Sequence, residues 1–169
     1  MPPPIRKAAA FGIAYRKMTD DDLPFVAALY ASTRGEEVAA TGWPPEMQAA
    51  FLDQQHRAQH FHYRNAFPAG EWLLIERDGA PIGRLYLAES EGMLRLVDIS
   101  LLPEARGEGL GTAILCDLLD DEPRPVLLHV EHTNPARRLY VRLGFCLAED
   151  KGFYLMMIRQ PAGRDRDKA

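Results

Sequence analysis

The sequence predicts a single α/β domain with a mixed, mostly antiparallel sheet of about seven strands flanked by helices. Three observations lead to this fold class. The chain has 169 residues, 47% of them hydrophobic, which is enough for one sizeable core and too few for two ordinary domains. Three strand-like runs follow one another, separated by turn signals. A strand–helix–strand pattern comes next and favours a right-handed connection between parallel strands.

The predicted domain covers residues 13–160, between an expected flexible leader at residues 1–12 and an expected disordered tail at residues 161–169. The tail has almost no apolar side chains to bury, which is typical of disorder. The run GIAYRKM, which follows the leader, predicts the first strand.

A helix is predicted at TDDDLPFVAALYAS. Thr19 is suited to cap it, and the three aspartates that follow lie at the positive end of the helix dipole. Apolar residues recur at helical spacing and form one face that needs a sheet to cover it: Leu23, Val26, Ala27 and Tyr30.

The segment that begins PPEMQ predicts a second helix, with a thin apolar face carried by Met47, Phe51 and Ala58. Such a helix is expected to border a cleft. His56 and His60 are one turn apart, as in a metal-binding pair, but no HExxH motif or thiolate accompanies them. We therefore expect solvated histidines and no metal.

The run EWLLIERDGAPIGRLYLAESEGMLRLVDISLL predicts an antiparallel meander of three strands, with turns at Asp78-Gly79 and at SEG. The third strand leads into PEARGEGLGTAI, where the pattern becomes helical from Gly109 to Leu119. PVLLHVEH then predicts a strand, NPARRLYVRLG a helix, and FCLAED and GFYLMMI the last two strands.

Charge and composition narrow the class of function. The net charge is -4, without the clustered basic excess of a nucleic-acid-binding protein. No stretch approaches the roughly 20 apolar residues of a membrane span, and the N-terminal segment is poor signal-peptide material. Cys116 and Cys146 lie in apolar runs, where we expect buried, reduced thiols. We therefore expect a cytoplasmic protein without nucleic-acid or membrane partners.

The three glycines of RGEGLG lie between a predicted strand and a predicted helix. Free backbone N–H groups and the positive end of the helix dipole converge there, an arrangement that binds phosphate or pyrophosphate. A P-loop requires GxxxxGK followed by Ser or Thr, and a dinucleotide fingerprint requires GxGxxG; the spacing here fits neither. For this hexapeptide alone, a turn without any ligand remains open.

A second segment, NPARRLYVRLGF, combines helix start and stop signals. Asn134 is a favourable N-cap, and Pro135 fits the first helical turn. Gly144 suits a left-handed C-terminal cap, with Phe145 placed for the apolar contact that accompanies it. By its helical spacing alone, Tyr140 is an ordinary core tyrosine.

Together, RGEGLG and NPARRLYVRLGF resemble the two signatures of the GNAT N-acetyltransferases. The first is the coenzyme A pyrophosphate loop: Gln or Arg, two residues, Gly, one residue, then Gly or Ala. The second is a helix that Asn opens, that contains a Tyr and that Gly-Phe ends. The resemblance covers residues 70–160 well. It implies the GNAT acyl-CoA N-acyltransferase fold, with central strands splayed to admit acetyl-CoA, and transfer of acetyl to a primary amine.

The resemblance also implies site residues. Tyr140 is the general acid beside the donor sulfur, and backbone N–H groups from Ile99 to Leu101 stabilise the oxyanion. The residues expected to bind acetyl-CoA are Ile99, Leu101, Arg106, Gly107, Glu108, Gly109, Leu110, Gly111, Thr112, Asn134 and Arg137. The acceptor is an unidentified small molecule or protein, and a homodimer is compatible with the sequence, which leaves the oligomeric state open.

The resemblance does not assign the general base, because its position varies within the family. Candidates are Asp98, on the strand that enters the glycine loop, and His129 and Glu131, on the next strand. Alternation directs His129 and Glu131 to one face of that strand, although both also fit exposed strand-end residues without a role. His129 titrates closest to neutrality and is the preferred base.

Two other functions remain open from the sequence. An acyl-CoA-binding regulatory module would keep the pocket and lack turnover. An acyltransferase that uses a longer acyl donor or a hydroxyl acceptor would carry the same two signatures.

Overall fold

A computed structural model describes residues 1–162 of the chain; residues 163–169, within the expected disordered tail, lie outside the described residues. One sheet contains seven strands: β1 (Ile13–Lys17), β2 (Glu71–Arg77), β3 (Ala80–Ser90), β4 (Met93–Leu101), β5 (Val126–Glu131), β6 (Cys146–Asp150) and β7 (Tyr154–Arg159). The α-helices are α1 (Leu23–Ala39), α2 (Pro45–Ala66), α3 (Leu110–Asp120) and α4 (Arg137–Arg142). The predicted α/β fold class, with its seven strands, is confirmed.

The strand order is β1-β2-β3-β4-β5-β7-β6, and β4 and β5 are the parallel neighbours, joined through α3. Asp78 and Gly79 turn the chain between β2 and β3 with φ of 53° and 78°, and Glu91 and Gly92 turn it between β3 and β4 with φ of 53° and 75°. Two successive left-handed residues form the tight turn that matches the twist of a hairpin. The predicted antiparallel meander is therefore present.

The two faces of the sheet have different coverings. One face packs on α3 in a core that includes Leu85, Leu96, Ile114 and Leu128. The other face is covered by α1 and α2, as the fully buried Val26 of α1 indicates. No helix within residues 1–162 has the length and apolarity needed to cross a membrane.

A bulge in β4 decides which way its side chains point. Tyr86 of β3 pairs with Asp98, but Leu87 pairs with Leu96, so Val97 is an extra residue on β4. Without it, alternation would direct Asp98 towards α3, the face that Leu96 occupies. The bulge turns Asp98 to the face covered by α1 and α2.

The residues that we expected to form a flexible leader lie against α3. Ala8 is completely buried and opens a 3-10 turn that ends at Phe11. Asp117 of α3, only 1% exposed, accepts hydrogen bonds from the backbone N–H groups of Arg6, Lys7 and Ala8 at 2.8 to 2.9 Å. This anchor joins positions 110 residues apart, as between Lys7 and Asp117, a separation that local sequence patterns do not reveal.

Helix α2 turns a polar side to the sheet. His56 is 3% exposed, so the expectation of a solvated histidine is wrong at this position. Met47, which we assigned to the thin apolar face, is 52% exposed, and Ala58 of the same face is also exposed. Gln59 bonds Arg84 of β3 instead, because the facing sheet offers a buried guanidinium as a partner.

The expected burial of the cysteines is also not observed for Cys146. This residue is exposed because β6 is an edge strand on which all five residues are exposed. Cys116 is half-buried in α3, and both thiols are free.

Candidate active site

Strands β4 and β5 form a gap lined by free backbone groups. They pair only from Leu94 to Leu96 of β4 and separate beyond that point. The N–H of Leu102, just after β4, donates to the carbonyl of Ile82 in β3 at 2.8 Å. Ile82 and Leu102 are therefore a hydrogen-bonded pair of the antiparallel ladder between β3 and β4. Because bonded and non-bonded pairs alternate in an antiparallel ladder, Ile99 and Leu101 direct their N–H groups away from β3 and into the gap.

The glycine loop closes one end of this gap. Gly107 and Gly109 have φ of +80° and +87°, and a Cβ at either would meet no atom within 4 Å. A side chain would have ample room at both positions, so space is not the reason for glycine. Glycine is required because it adopts the left-handed backbone conformation without strain. Gly109 is the N-cap of α3, and no side chain of residues 1–162 caps that helix. The first-turn N–H groups of Leu110, Gly111 and Thr112 are therefore available to an anion.

Arg106 and Glu108 of the loop have different partners. Arg106 Nε donates to the carbonyl of Leu101 at 2.7 Å, and its Nη2 lies 3.4 Å from Oγ of Ser32 on α1. The guanidinium thus crosses the end of β4 beside the glycines, where it can meet a phosphate. Glu108 instead pairs with Arg77 of β2 at 3.2 Å.

The C-terminal end of α4 follows the sequence signals, but the N-terminal end does not: the N-cap is Ala136, not the predicted Asn134, and Pro135 precedes the helix. Asn134 Oδ1 accepts the N–H of Ala136 at 2.9 Å in a turn that precedes α4, which begins three residues after Asn134. Gly144 adopts φ of +89°, and the N–H of Phe145 donates to the carbonyl of Tyr140 at 3.0 Å. These are the bonds of a glycine C-cap, and Phe145 is buried beside them.

Tyr140 is 8% exposed, and its hydroxyl has no hydrogen-bond partner among the described residues. Burial, with a smaller contribution from the Asp98 carboxylate, raises the pKa of Tyr140 to about 12. The phenol is therefore protonated at neutral pH and can donate its proton. Arg137 is exposed on the first turn of the same helix.

Asp98 makes a two-point contact with Arg84 of β3. Its Oδ2 accepts Arg84 Nη2 at 2.8 Å, and its Oδ1 accepts Arg84 Nε at 3.2 Å and Ser100 Oγ at 2.7 Å. Arg84 is 3% exposed, and Gln59 of α2 accepts its Nη2 at 2.8 Å. Both carboxylate oxygens of Asp98 are therefore engaged.

His129 contacts Arg95 of β4. Arg95 Nη2 lies 2.7 Å from Nδ1 of the imidazole. A guanidinium can only donate, so Nδ1 accepts and Nε2 carries the proton. Burial and the Arg95 charge lower the pKa of His129. Both effects make His129 a poorer base than its ordinary pKa suggests.

Glu131 lies on the same face of β5 as His129, as alternation predicts, and contacts α1. Its Oε1 accepts Arg34 Nη2 at 2.7 Å, while Arg34 Nη1 also reaches Glu37 at 3.1 Å. Oε2 of Glu131 has no hydrogen-bond partner within residues 1–162. This carboxylate thus retains one free oxygen.

Three arginines hold these groups and were not predicted from the sequence: Arg34, Arg84 and Arg95. The available signal was an arginine within an otherwise apolar strand, as in GRLYL and LRLV. A charge in such a run needs a buried partner. Among residues 1–162, no group of three or more His, Cys, Asp or Glu side chains is arranged to hold a metal ion.

An open, mixed seven-stranded sheet whose parallel central strands separate beside a glycine cradle is the architecture of an acetyltransferase. The chain matches the model of the acetyltransferase (GNAT) family over residues 28–145. It belongs to that family.

Solved structures are similar to most of the chain. PaiA N-acetyltransferase from Thermoplasma acidophilum, in complex with coenzyme A, is 16% identical with a TM-score of 0.63, over 88% of this chain and 98% of that one. An acetyltransferase from Thermus thermophilus is 17% identical with a TM-score of 0.64, over 87% of this chain and 96% of that one.

A chimera of spermidine N-acetyltransferase SpeG from Vibrio cholerae and hSSAT is 19% identical with a TM-score of 0.58, over 88% of this chain and 95% of that one. At these identities, the likeness concerns the fold alone. A search of curated proteins gives no match.

Proposed function

We propose that the protein is an acetyl-CoA-dependent N-acetyltransferase that transfers acetyl directly from the thioester to a primary amine. The observation that carries the proposal is the gap between β4 and β5. One wall presents the N–H groups of Ile99 and Leu101, and the glycine cradle lies at its end. A pantetheine arm is a narrow chain that can lie in such a gap and bond to free strand amides.

Coenzyme A fits the glycine loop on its own chemistry. The pyrophosphate would accept the first-turn N–H groups of α3, and Arg106 would contribute positive charge. The bound coenzyme of the Thermoplasma neighbour supports this assignment. When bound, acetyl-CoA supplies an activated acyl group on a thiolate leaving group.

The acceptor reaches the gap from the side of α1 and α2, because the opposite face is filled by the core around α3. The amine nitrogen forms a bond to the thioester carbon, the carbon–sulfur bond breaks, and the thiolate takes a proton from Tyr140. The proton that the acylated nitrogen then loses restores the phenol of Tyr140. Burial raises the pKa of the Tyr140 phenol and would raise the pKa of the coenzyme thiol in the same way. The two pKa values therefore stay close enough for the proton transfer.

An alkylammonium must lose a proton before it attacks. Glu131 is the proposed proton acceptor, directly or through a water molecule, because Oε2 is free while both oxygens of Asp98 are engaged. His129, the base preferred from sequence, has its lone pair occupied by Arg95. Arg34 can remain on Glu37 while Glu131 receives the proton.

A second candidate function has a specific observation in its favour. Asp98, His129 and Glu131 each contact an arginine, as expected of a module that binds acyl-CoA without turnover. Such a module would show binding of acetyl-CoA and no consumption of it in the presence of any amine.

Release of coenzyme A thiol from acetyl-CoA, measured against a panel of acceptors, tests the proposal. The panel contains spermidine, a lysine peptide, amino acids, an aminoglycoside and hydroxyl analogues of each amine. We expect amine-dependent release and stabilisation of the protein by acetyl-CoA. Competition with longer acyl-CoA donors tests the acyl preference. Stabilisation without release from any acceptor would favour the binding module.

A further inference from the structure

Arg95 differs from the other arginines that are buried or half-buried. Most of these lie in ion pairs with carboxylates: Arg16, Arg34, Arg77, Arg84 and Arg124. Arg159 donates to two backbone carbonyls. Arg95, half-buried in β4, has no carboxylate partner among residues 1–162, and its hydrogen bond goes to the neutral imidazole of His129.

The surroundings of Arg95 hold it without neutralising it. Its guanidinium carbon lies 5.0 Å from the centre of the Phe67 ring at the end of α2. Burial lowers the pKa of Arg95, but an arginine stays charged at neutral pH. A half-buried cation that packs on an aromatic ring and bonds to imidazole is poorly compensated, which favours an anionic ligand.

The Arg95–His129 pair offers hydrogen-bond donors and no acceptor. Because Arg95 occupies Nδ1, His129 presents Nε2–H, which has no partner among the described residues. Among the described residues, the fully buried side-chain atoms without a hydrogen-bond partner do not include Nε2 of His129 or any nitrogen of Arg95. These unpartnered nitrogens are therefore exposed to solvent. A group that accepts hydrogen bonds and carries negative charge satisfies both side chains.

The pair lies beside the reacting centre. Arg95 is within the short paired stretch of β4 and β5, and His129 follows the last paired residue, Leu128, where the gap opens. Both side chains point away from α3, because their strand neighbours belong to the core on that face. They therefore border the side from which the acceptor approaches.

We propose that Arg95 and His129 form a carboxylate-binding subsite, so that the acceptor is an amine that also carries a carboxylate. The inference rests on the proposed N-acetyltransferase function and names its substrate class. His129 and Glu131 are two residues apart on one face of β5, or about 7 Å. An amine near Glu131 and a carboxylate near His129 fit α-amino acids and short ω-amino acids.

Other charges near His129 do not remove this preference. Lys151 and Glu149, on the β6–β7 side, pair with each other at 3.1 Å. Both influence the pKa of His129 in opposite directions, Lys151 downwards and Glu149 upwards. Tyr63 of α2, near Arg95, is neutral at neutral pH because burial raises its pKa. The net charge that faces an incoming acceptor at the subsite is that of Arg95.

Matched acceptors test the subsite. Acetylation of the standard amino acids is compared with that of their carboxamides, which keep the amine and the side chain and lack the charge. We expect wild-type kcat/KM to be about 10- to 100-fold higher for the best carboxylate than for its amide, as charge-assisted hydrogen bonds allow. Arg95→Gln should abolish this preference, so that the ratio of kcat/KM for the carboxylate to kcat/KM for its amide falls to about 1.

Arg64→Gln is the matched control, because Arg64 is exposed on α2 and packs over Trp72 at 5.6 Å. It should keep the full preference. The proposal is overturned if wild-type protein shows no preference, or if Arg95→Gln slows carboxylates and amides equally, as loss of an oxyanion donor or of folding would.

A direct binding measurement separates the subsite from the proposed function. Amino acids and N-acetylamino acids are titrated calorimetrically into wild-type protein saturated with coenzyme A. Binding that Arg95→Gln abolishes supports the subsite even if no acetyl transfer occurs, in which case the proposed function alone fails. Absence of binding to the wild-type protein rejects the subsite.

Discussion

Phe145 donates its backbone N–H to the carbonyl of Tyr140 at 3.0 Å, and their rings meet edge to face with centroids 5.8 Å apart. The bond depends on Gly144, whose φ of +89° turns the chain back over α4. The C-cap thus fixes both the backbone and the ring of Tyr140. Since the hydroxyl has no hydrogen-bond partner within residues 1–162, it is free to donate to a bound ligand.

Replacing Tyr140 by Phe should lower kcat by about 10²- to 10⁴-fold, the usual contribution of a positioned acid. The dissociation constant for acetyl-CoA should stay nearly the same, because the phenyl ring keeps its contact with Phe145. Thiol release measures the first quantity and calorimetry the second. Tyr15→Phe is the control: its hydroxyl is buried without a described partner, so turnover should persist. Wild-type turnover in Tyr140→Phe would exclude the tyrosine as the acid.

Replacing Gly109 by Ala should abolish the stabilisation of the protein by acetyl-CoA. An alanine at φ of +87° costs roughly 1 to 2 kcal/mol and displaces the start of α3, where the phosphate groups would bind. Thermal unfolding with and without acetyl-CoA measures the effect. Gly42→Ala, at φ of +68° and with nothing within 4 Å, imposes similar strain away from the loop and should keep the ligand-induced shift. Equal shifts in the two variants would contradict the cradle.

Replacing Asp117 by Asn should destabilise the domain by about 1.5 to 3 kcal/mol, because charge-assisted bonds to three backbone N–H groups are weakened. Although burial acts to raise the pKa of Asp117, these bonds bring it below its ordinary value. Urea unfolding measures the loss. Asp120→Asn removes an exposed pair with Lys7 and should cost well under 1 kcal/mol. Similar losses in both variants would show that the N-terminal anchor contributes little.

The stability of the domain should fall below about pH 6.5 because of His56. Burial, Arg84 and His60 lower its pKa to about 4. As the pH falls, His56 of the unfolded chain therefore binds a proton near pH 6.5, whereas His56 of the folded chain binds one only near pH 4. The resulting loss between about pH 7 and about pH 5 is about 1 to 2 kcal/mol.

Urea unfolding of wild type and of His56→Gln at both pH values checks this expectation. The variant should lose less stability than wild type by that amount, since it lacks the titrating ring. His62→Gln, on an exposed position of the same helix, should behave like wild type. An unchanged pH dependence in His56→Gln would contradict a neutral buried imidazole.

Local patterns in the sequence identified the strands, the helices and the two turns that hold Gly109 and Gly144. These features depend on short-range rules: alternation, helical spacing and the need for glycine at positive φ. A parallel connection was also expected from the strand–helix–strand pattern, without assignment to particular strands, and the structure shows parallel pairing of β4 with β5.

The polar contacts of the site depend on long-range geometry and were not predictable in the same way. The bulge at Val97 reverses the direction of Asp98, and nothing in DISLL signals an extra residue. Arg95 reaches His129 across 34 positions, and Arg34 reaches Glu131 across 97. Which charges meet is decided only when α1 and α2 pack on the sheet. The sequence therefore allowed His129 to be proposed as a base, but it did not reveal that Arg95 occupies Nδ1 of this residue.

Transfer of a labelled acetyl group is the most direct measurement of the proposed activity. The protein is incubated with acetyl-CoA that carries carbon-13 in the acetyl group, together with the amine panel, and the products are identified by mass spectrometry. We expect a labelled amide in equal amount to the coenzyme A released, with both reduced in Tyr140→Phe. Release of coenzyme A with labelled acetate and no amide, or no release with any amine, would contradict an N-acetyltransferase.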